Sequence, residues 1–352
     1  MRIFLTASLS AFALAAPLFV ATPASAQQSI KVSIADGEIT PFCLKMRMVR
    51  HPAFPAMREK YNLKFEDVMQ IMAQAPVSVS NKDIDIGECT GISTMVNAWN
   101  KGAKNLIVWS VGAEIPVYQL VANPAIKDLK DFKGKNIGSP GIQTASSEAV
   151  EMILKRGAGL LPGKDYDFVA TGGGNTRAAA LLSGKIDALP TFPPISYDLE
   201  KRGFKVVADE ATYVPKYVSG VDIVSKEWVE KNRDLFIRLI KASIGAGQWL
   251  KEPANKEAAT AWFAKNLKIA GGGELGMEQA VRMYQFYITE KRLSFNGYAP
   301  EDAIRANLDI LKERGYLKDS EVPPLGQIFD FSYLNQALRE LGLPEVKELP
   351  KS

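Results

Sequence analysis

Histidine is almost absent from this chain, because His51 is the only one in 352 residues. One histidine cannot form a multi-histidine metal site or a hydrolase triad that needs a second imidazole. The phosphate-loop pattern G-x-x-x-x-G-K-[ST] and the nucleophile pattern G-x-S-x-G are also missing. We interpret His51, within VRHPAF, as a surface or structurally satisfied residue. We expect no metal, no cofactor and no catalysed reaction.

An excess of charge of one sign is also lacking. The 43 basic residues are interspersed among 39 acidic ones, which leaves a net charge of +4. No polybasic stripe of the kind that binds nucleic acid or a membrane surface is present, so we expect no nucleic-acid partner. The length and the hydrophobic fraction of 47% favour two globular domains or one large one.

Residues 1–26 have the pattern of a secretory signal peptide. Arg2 gives a positive start, IFLTASLSAFALAAPLFV gives an apolar core, and ASA at 24–26 gives a cleavage pattern. A membrane anchor is the alternative, but the apolar core is short and ends without a charge cluster. We therefore predict cleavage after Ala26 and export of the remaining chain.

From residue 29 the chain alternates β-rich and helical segments, which indicates parallel β-α-β units. After residue 226 nearly every segment has a helical pattern. Two extended stretches, 115–123 and 214–226, are where we predict that the chain crosses between two lobes. The predicted strands are 29–36, 82–88, 105–112, 166–171, 186–192 and 204–210, and helices are predicted at 90–103, 175–185 and 195–203.

The stretch GSPGIQTASSEAVEMIL, residues 138–154, carries more polar groups than a helix start needs. A helix N-terminus presents unpaired N–H groups and partial positive charge, which suit a bound anion. Simple capping of the helix is the alternative. A second glycine-rich stretch, TGGGNTR at 171–177, lacks dinucleotide-binding spacing, and we interpret it as a strand–turn–helix joint. The ligand contacts predicted at the helix start are Gln143, Thr144, Ala145 and Ser146.

The order of several segments resembles one protein family. DLKDFKGKNIGS with the polar turn that follows it, AALLSGKIDALPTFPP, DIDIGECTGI and FDFSYLNQALRELGLP are the segments that carry the resemblance. They are similar to segments of ABC-transporter substrate-binding proteins for nitrate, taurine and aliphatic sulfonates, a group that includes binders of thiamine-pyrimidine precursors. Two departures are Phe192-Pro193-Pro194 at the usual W-E-P positions and QAPVSVSNK, which interrupts the helix expected before DIDIG.

The resemblance implies an α/β, two-lobed periplasmic binding protein type II fold with two hinge crossings and a helical C-terminal part. Lobe I would comprise 27–116 and 218–352, and lobe II would comprise 117–217. Such proteins close their lobes around a ligand by hinge bending.

Ligands of open α/β sheets bind at strand carboxyl ends and helix starts. Capping of the next helix is the alternative role for Thr90, a core position is the alternative for Phe192, and strand packing is the alternative at the hinge. If Glu88 faces the ligand, it favours a polar or amine-bearing molecule. The additional candidates are Ile39, Thr40, Phe42, Glu88, Cys89, Thr90, Thr191, Phe192 and, at the hinge, Tyr118, Gln119 and Asp222.

The function that the resemblance implies is capture of a small organic anion in the periplasm. The anion would be a sulfonate, a carboxylate or an aromatic acid, because Phe42 and Phe192 favour an aromatic or heterocyclic body. The partners would be an ABC permease and, through it, its ATPase, and we expect a monomer. A pyrimidine or thiamine-precursor binder, a sensor domain and an enzyme on the same fold are the alternatives.

Cys43 and Cys89 are the only two cysteines, and both follow predicted first-lobe strands at the same end. Export permits a disulfide bond, and the even count leaves no cysteine over. A Cys43–Cys89 disulfide is therefore one hypothesis, and two separate buried thiols are the other.

Overall fold

The computed structural model describes residues 29–35, 43–52, 54–70, 72–267 and 273–351. The predicted signal peptide and the predicted site residues Ile39, Thr40 and Phe42 lie outside these ranges. The strands are β1 Ser29–Ala35, β2 Lys64–Gln70, β3 Ile86–Thr90, β4 Leu106–Ala113, β5 Gln119–Ala122, β6 Asn136–Ser139, β7 Asp167–Ala170, β8 Ala188–Thr191, β9 Lys205–Asp209 and β10 Ser219–Ser225.

Helices alternate with these strands and then dominate the C-terminal part, as the sequence predicts. They are α1 Leu44–Arg50, α2 Pro55–Lys60, α3 Ala75–Ser80, α4 Ile92–Asn100, α5 Ala145–Ala158, α6 Gly174–Leu182, α7 Ile195–Lys201, α8 Glu210–Tyr213, α9 Lys226–Lys231, α10 Arg233–Lys251, α11 Lys256–Asn266, α12 Met277–Tyr284, α13 Glu301–Glu313, α14 Leu325–Ile328 and α15 Ser332–Glu340, with a π-helical turn at Gln285–Thr289.

The strands of the described ranges form two five-stranded sheets. The first sheet has the order β2-β1-β3-β10-β4, and the second has the order β7-β6-β8-β5-β9. β10 is antiparallel to both of its neighbours, and so is β5. These two strands lie in the predicted crossings 115–123 and 214–226, and they interrupt the parallel pairing that strand–helix alternation indicates. Each is the first strand after a crossing, so the chain enters it from the edge where the parallel strands end.

The chain crosses from the first sheet to the second between β4 and β5, and it returns between β9 and β10. The predicted two-lobed fold with two crossings is confirmed. Arg292 links the two crossings. Its guanidinium donates to Pro116 O, before β5, at 2.8 Å and to the carboxylate of Asp209, at the end of β9, at 3.0 and 3.1 Å. The proposed residue limits of the two lobes stay a prediction.

Three local features differ from what the sequence indicates: a strand that it does not reveal, a helix in a segment where it predicts an interruption, and a cap that is not Thr90. Sequence reasoning missed β2, an edge strand whose residues are all exposed or half-buried. The segment QAPVSVSNK, which was expected to interrupt a helix, contains α3, and Pro76 stands in its first turn, where no N–H is needed. Thr90 does not cap α4, because it is the last residue of β3 and Gly91 is the N-cap.

Each sheet has its own hydrophobic core. The core of the first sheet includes Trp109, whose ring meets Phe236 of α10 edge-on at 5.4 Å between centroids. The second sheet has one apolar cluster around Leu120 and another around Val121, neighbouring residues that point to opposite faces of β5. A further cluster combines residues from both lobes, and the candidate site lies beside it.

Candidate ligand-binding site

The start of α5 is a reciprocal capping box. Thr144 is the N-cap: its Oγ1 accepts from Ser147 N at 3.3 Å, and Ser147 Oγ accepts from Thr144 N at 3.1 Å. Thr144 Oγ1 also donates to Gly141 O at 3.1 Å. The capping alternative therefore describes Thr144 and Ser147. The N–H groups of Ala145 and Ser146 are in the first turn, where a helix supplies no carbonyl partner of its own.

Ser146 links the starts of two helices. Its buried hydroxyl accepts a hydrogen bond from Arg177 Nη1 at 3.1 Å. Arg177 is the fourth residue of α6 and only 3% exposed. Its guanidinium lies where a helix dipole already favours a bound anion. The two helix starts and this cation together form a region of positive potential.

The start of α4 approaches the start of α5 from the first lobe. A Cβ built on Gly91, the N-cap of α4, would lie 3.6 Å from the Ala145 Cβ. The two helix N-termini therefore meet across the boundary between the lobes. An anion at this boundary would be close to both positive helix ends.

An apolar wall lies next to these helix starts. The two cysteines are joined as a disulfide with a Cα–Cα distance of 5.9 Å, inside the usual range for such bonds. They share one hydrophobic cluster with Tyr118 and Phe192. The Tyr118 and Phe192 rings lie 5.6 Å apart at an angle of 56°. Ala145 packs against the same cluster, so the helix start and the wall are contiguous.

Several buried polar side chains at the adjoining strand ends and at the start of α7 have atoms with no hydrogen-bond partner in the described part of the chain. Gln119 and Thr191 are register partners on β5 and β8, and both are buried. A buried polar atom without a partner costs roughly 1–3 kcal/mol, so each of these atoms needs a water molecule or a ligand group as its partner. The atoms are Gln119 Oε1, Thr191 Oγ1, Thr90 Oγ1, Ser196 Oγ and Ser219 Oγ.

The Glu88 carboxylate is held by a buried arginine, and its contact with a ligand stays a prediction. Its carboxylate accepts from Arg50 Nε at 3.0 Å and from Arg50 Nη2 at 2.9 Å, and Arg50 also pairs with Asp67. Burial raises the pKa of Glu88 to about 7, and Arg50 opposes that shift. The pair is a structural element of the first lobe.

Asp222 supports the backbone at Cys89, and its contact with a ligand stays a prediction. Its Oδ1 accepts from the backbone N–H of Cys89 at 3.2 Å. Cys89 has φ of 56°, a left-handed conformation that non-glycine residues rarely adopt. Lys45 is buried nearby and donates a hydrogen bond to Val111 O. Burial lowers the pKa of Lys45 to about 8, and the electrostatic attraction of Asp222 opposes that shift.

Gln143 is exposed and lies at one edge of the candidate site. It lines a cavity of about 300 Å³ together with Asn97 of α4 and Tyr316, which follows α13. His51 lies elsewhere, with its ring edge-on to Trp262 at 5.2 Å, and burial lowers its pKa. The described residues contain no group of three or more His, Cys, Asp or Glu side chains that could hold a metal.

Arg177 is the principal residue that sequence reasoning missed. TGGGNTR does form the predicted strand–turn–helix joint, with Gly173 as the N-cap of α6. The available signal was the arginine itself, because a cation near a helix N-terminus opposes the dipole and therefore needs a specific reason. Ser219 lies in the predicted crossing 214–226 and was a candidate with Asp222, but the sequence does not show that its hydroxyl is buried.

A family model described as "NMT1/THI5 like" matches residues 56–256, more than half of the chain. The chain belongs to the NMT1/THI5-like family. This finding, with the structural neighbours below, confirms the resemblance inferred from the sequence.

Two curated relatives match parts of the chain. The 2'-hydroxybiphenyl-2-sulfinate desulfinase of Rhodococcus erythropolis is 31% identical over 136 residues, which are 39% of this chain and 34% of the relative. A putative ABC transporter periplasmic binding protein of Brachyspira hyodysenteriae is 28% identical over 165 residues, which are 45% of each chain. The matched segments thus span about a third of one relative and less than half of the other.

Among solved structures, the periplasmic nitrate-binding protein NrtA from Synechocystis PCC 6803 has a TM-score of 0.72 at 13% identity. The match covers 90% of this chain and 89% of that one. At this identity the likeness shows the fold alone, which is that of the periplasmic binding proteins of ABC import systems. In the described ranges, no helix combines the length and apolar character that a membrane crossing requires.

Proposed function

We propose that this chain is an exported solute-binding protein that captures a small organic anion between its two lobes and delivers it to an ABC importer. The observation that carries the proposal is the meeting of the α4 and α5 N-termini beside the buried Arg177 guanidinium. Backbone N–H groups, a helix dipole and an arginine are the groups that proteins use to bind carboxylates and sulfonates. The permease and its ATPase are the partners that this role requires.

The rest of the ligand is an apolar body of modest size. Tyr118, Phe192 and the Cys43–Cys89 bridge are buried next to the anion-binding groups, and opening of the lobes would expose an aromatic and sulfur-lined surface there. Rings stack favourably on such surfaces, which supports an aromatic acid or an aryl sulfonate over a bare inorganic anion. Gln119 Oε1 has no hydrogen-bond partner among the described residues and can act only as an acceptor. An N–H or O–H group of the ligand could therefore donate a hydrogen bond to it.

A thermal-shift screen tests this proposal, because a ligand that binds only the native state raises its melting temperature. The panel contains nitrate, taurine, a short alkanesulfonate, benzoate, benzenesulfonate and the aminopyrimidine of thiamine. We expect the largest shifts from the two aromatic acids, with calorimetry to confirm one site per chain. No shift from any anion, with a shift from the aminopyrimidine, would favour the pyrimidine-binding alternative.

An enzyme is the second candidate, and the desulfinase relative is the observation that favours it. Against it stands the pairing of Cys43 with Cys89, since a disulfide leaves neither sulfur as a nucleophilic thiolate. The test is incubation of the oxidised and the reduced protein with 2'-hydroxybiphenyl-2-sulfinate. We expect the sulfinate to remain intact in both samples; its consumption would establish the enzyme.

A further inference from the structure

Arg314 follows α13 and reaches across to the segment that starts α5. Its side chain is 1% exposed. Nε and Nη2 donate to the two carboxylate oxygens of Glu151 at 2.8 and 2.7 Å, and Nη1 donates to Glu148 Oε2 at 3.1 Å. Nη2 also donates to Ile142 O at 2.8 Å. One guanidinium therefore holds both the turn before α5 and the first two turns of the helix.

These contacts join the two lobes. α13 packs into the core of the first sheet through Ile304 and Leu308. α5 packs into the core of the second sheet through Val150 and Ile153. Arg314 is thus anchored on one lobe and fastened to the ligand-facing helix of the other.

The turn that Arg314 holds is part of the candidate site. Ile142 immediately precedes Gln143 and Thr144, so a fixed Ile142 carbonyl limits where the cap and the first-turn N–H groups point. The contacts use the planar, five-donor fork of arginine, which a lysine cannot reproduce.

We propose that Arg314 is a positioning residue that holds residues 142–147 in the orientation in which the start of α5 receives the ligand. The effect of Arg314 on ligand binding rests on the proposed function. Its effect on the conformation of the turn can be measured without any ligand.

Glu148 makes this clamp sensitive to pH. Arg314, Glu151 and Tyr217 face its carboxylate, and Glu210 lies close enough to interact with it. Burial raises the pKa of Glu148 to about 7, and Arg314 is the strongest opposing influence. A buried Glu148 therefore binds a proton more readily than a solvated one. Opening of the turn should become less favourable as pH falls from about 7 toward 4.5, and loss of Arg314 should move this dependence to higher pH.

The experiment is amide hydrogen exchange of residues 143–147 in ligand-free protein between pH 5.5 and 8.5, corrected for intrinsic exchange rates. The variants are Arg314→Gln, Arg314→Lys and Glu148→Gln. Arg156→Gln is the matched control, because Arg156 also bridges α5 to α13, through Glu313 at 2.9 Å, but is exposed. We expect exchange to rise roughly 10- to 100-fold in both Arg314 variants, as for loss of hydrogen bonds to a charged group, and to stay unchanged in the control.

The pH dependence separates positioning from mere packing. We expect the pH midpoint of the change in exchange rate to rise in Arg314→Gln. In Glu148→Gln we expect the exchange rate to lose this pH dependence. Unchanged exchange in both Arg314 variants, or an equal rise in Arg156→Gln, would overturn the proposal. If Arg314→Gln does not fold, Glu151→Gln removes the bidentate partner alone and gives the same decision. Affinity for benzenesulfonate is measured separately, so failure to bind it affects only the proposed function.

Discussion

The Asp222 carboxylate accepts a hydrogen bond from the backbone N–H of Cys89, with a distance of 3.2 Å between Oδ1 and N. This bond supports a left-handed residue at the end of β3, where the disulfide also begins. We expect Asp222→Ala to lower the free energy of unfolding by about 1–3 kcal/mol, because it leaves a buried N–H without its acceptor. Asp222→Asn keeps an acceptor oxygen and should cost less. Urea unfolding of the two variants makes the comparison, and equal losses would contradict it.

The disulfide gives a second prediction. A cross-link between residues 46 apart should stabilise the chain by roughly 3–4 kcal/mol through the lost entropy of the unfolded state. Reduction, or the double change Cys43→Ser with Cys89→Ser, should therefore lower the urea midpoint. Intact mass after alkylation of the denatured, unreduced protein checks the bond itself. Two alkylated thiols in that sample would rule the bond out.

At the start of α5, we expect one substitution to affect helix capping and a different one to affect ligand binding. We expect Thr144→Ala to lower stability by about 1 kcal/mol, as for other N-caps, with little loss of affinity. Arg177→Gln should instead weaken binding of benzenesulfonate by roughly 10- to 100-fold, because a charged hydrogen bond is lost. Arg202→Gln is the matched control, since Arg202 is a more exposed arginine paired with Asp198 on the same lobe. Calorimetry decides, and an Arg177→Gln protein that binds like the wild type would remove Arg177 from the site.

Stability should depend on pH through Glu88. Its pKa in the folded protein is raised to about 7 from an ordinary value of 4.5, chiefly by burial. The folded state therefore binds the proton more tightly than the unfolded state. This contribution to stability is complete below about pH 4.5 and is lost as pH rises through 7. Glu88→Gln should flatten the fall in unfolding free energy between pH 5 and 8, and a slope identical to that of the wild type would refute this assignment.

The sequence predicts the lobed architecture well because its signals are local and repeated. Strand–helix alternation, two extended crossings and a helical C-terminal part each follow from patterns several residues long. The missed strand β2 carries Glu66 and Asp67, because an edge strand tolerates charge that an interior strand does not. Pro76 appeared to break a helix that it in fact begins.

Site residues were harder to predict because their roles depend on distant partners. Glu88 was correctly placed near a strand end, but its partner Arg50 lies 38 residues away. Asp222 supports Cys89, which is 133 residues away, and no local pattern reveals that bond. The polar turn at 141–147 was found because helix starts have a local signature. Contact with a ligand stays a prediction for all the candidates in the described ranges, which are Glu88, Cys89, Thr90, Gln119, Gln143, Thr144, Ala145, Ser146, Thr191, Phe192 and Asp222.

The position of β10 has a consequence for how the protein folds. β10 lies between β3 and β4, so the first sheet stays split until residues 219–225, which follow every strand of the second sheet along the chain, have paired with both. The second sheet is formed by one continuous stretch of chain and can fold without the first sheet. Until β10 pairs with them, β3 and β4 each have an unpaired edge, and such edges favour aggregation. We expect pulse-labelled hydrogen exchange during refolding to protect β6 and β8 before β3 and β4. Chains that end before residue 219 should be captured by chaperones even though half of their fold is complete.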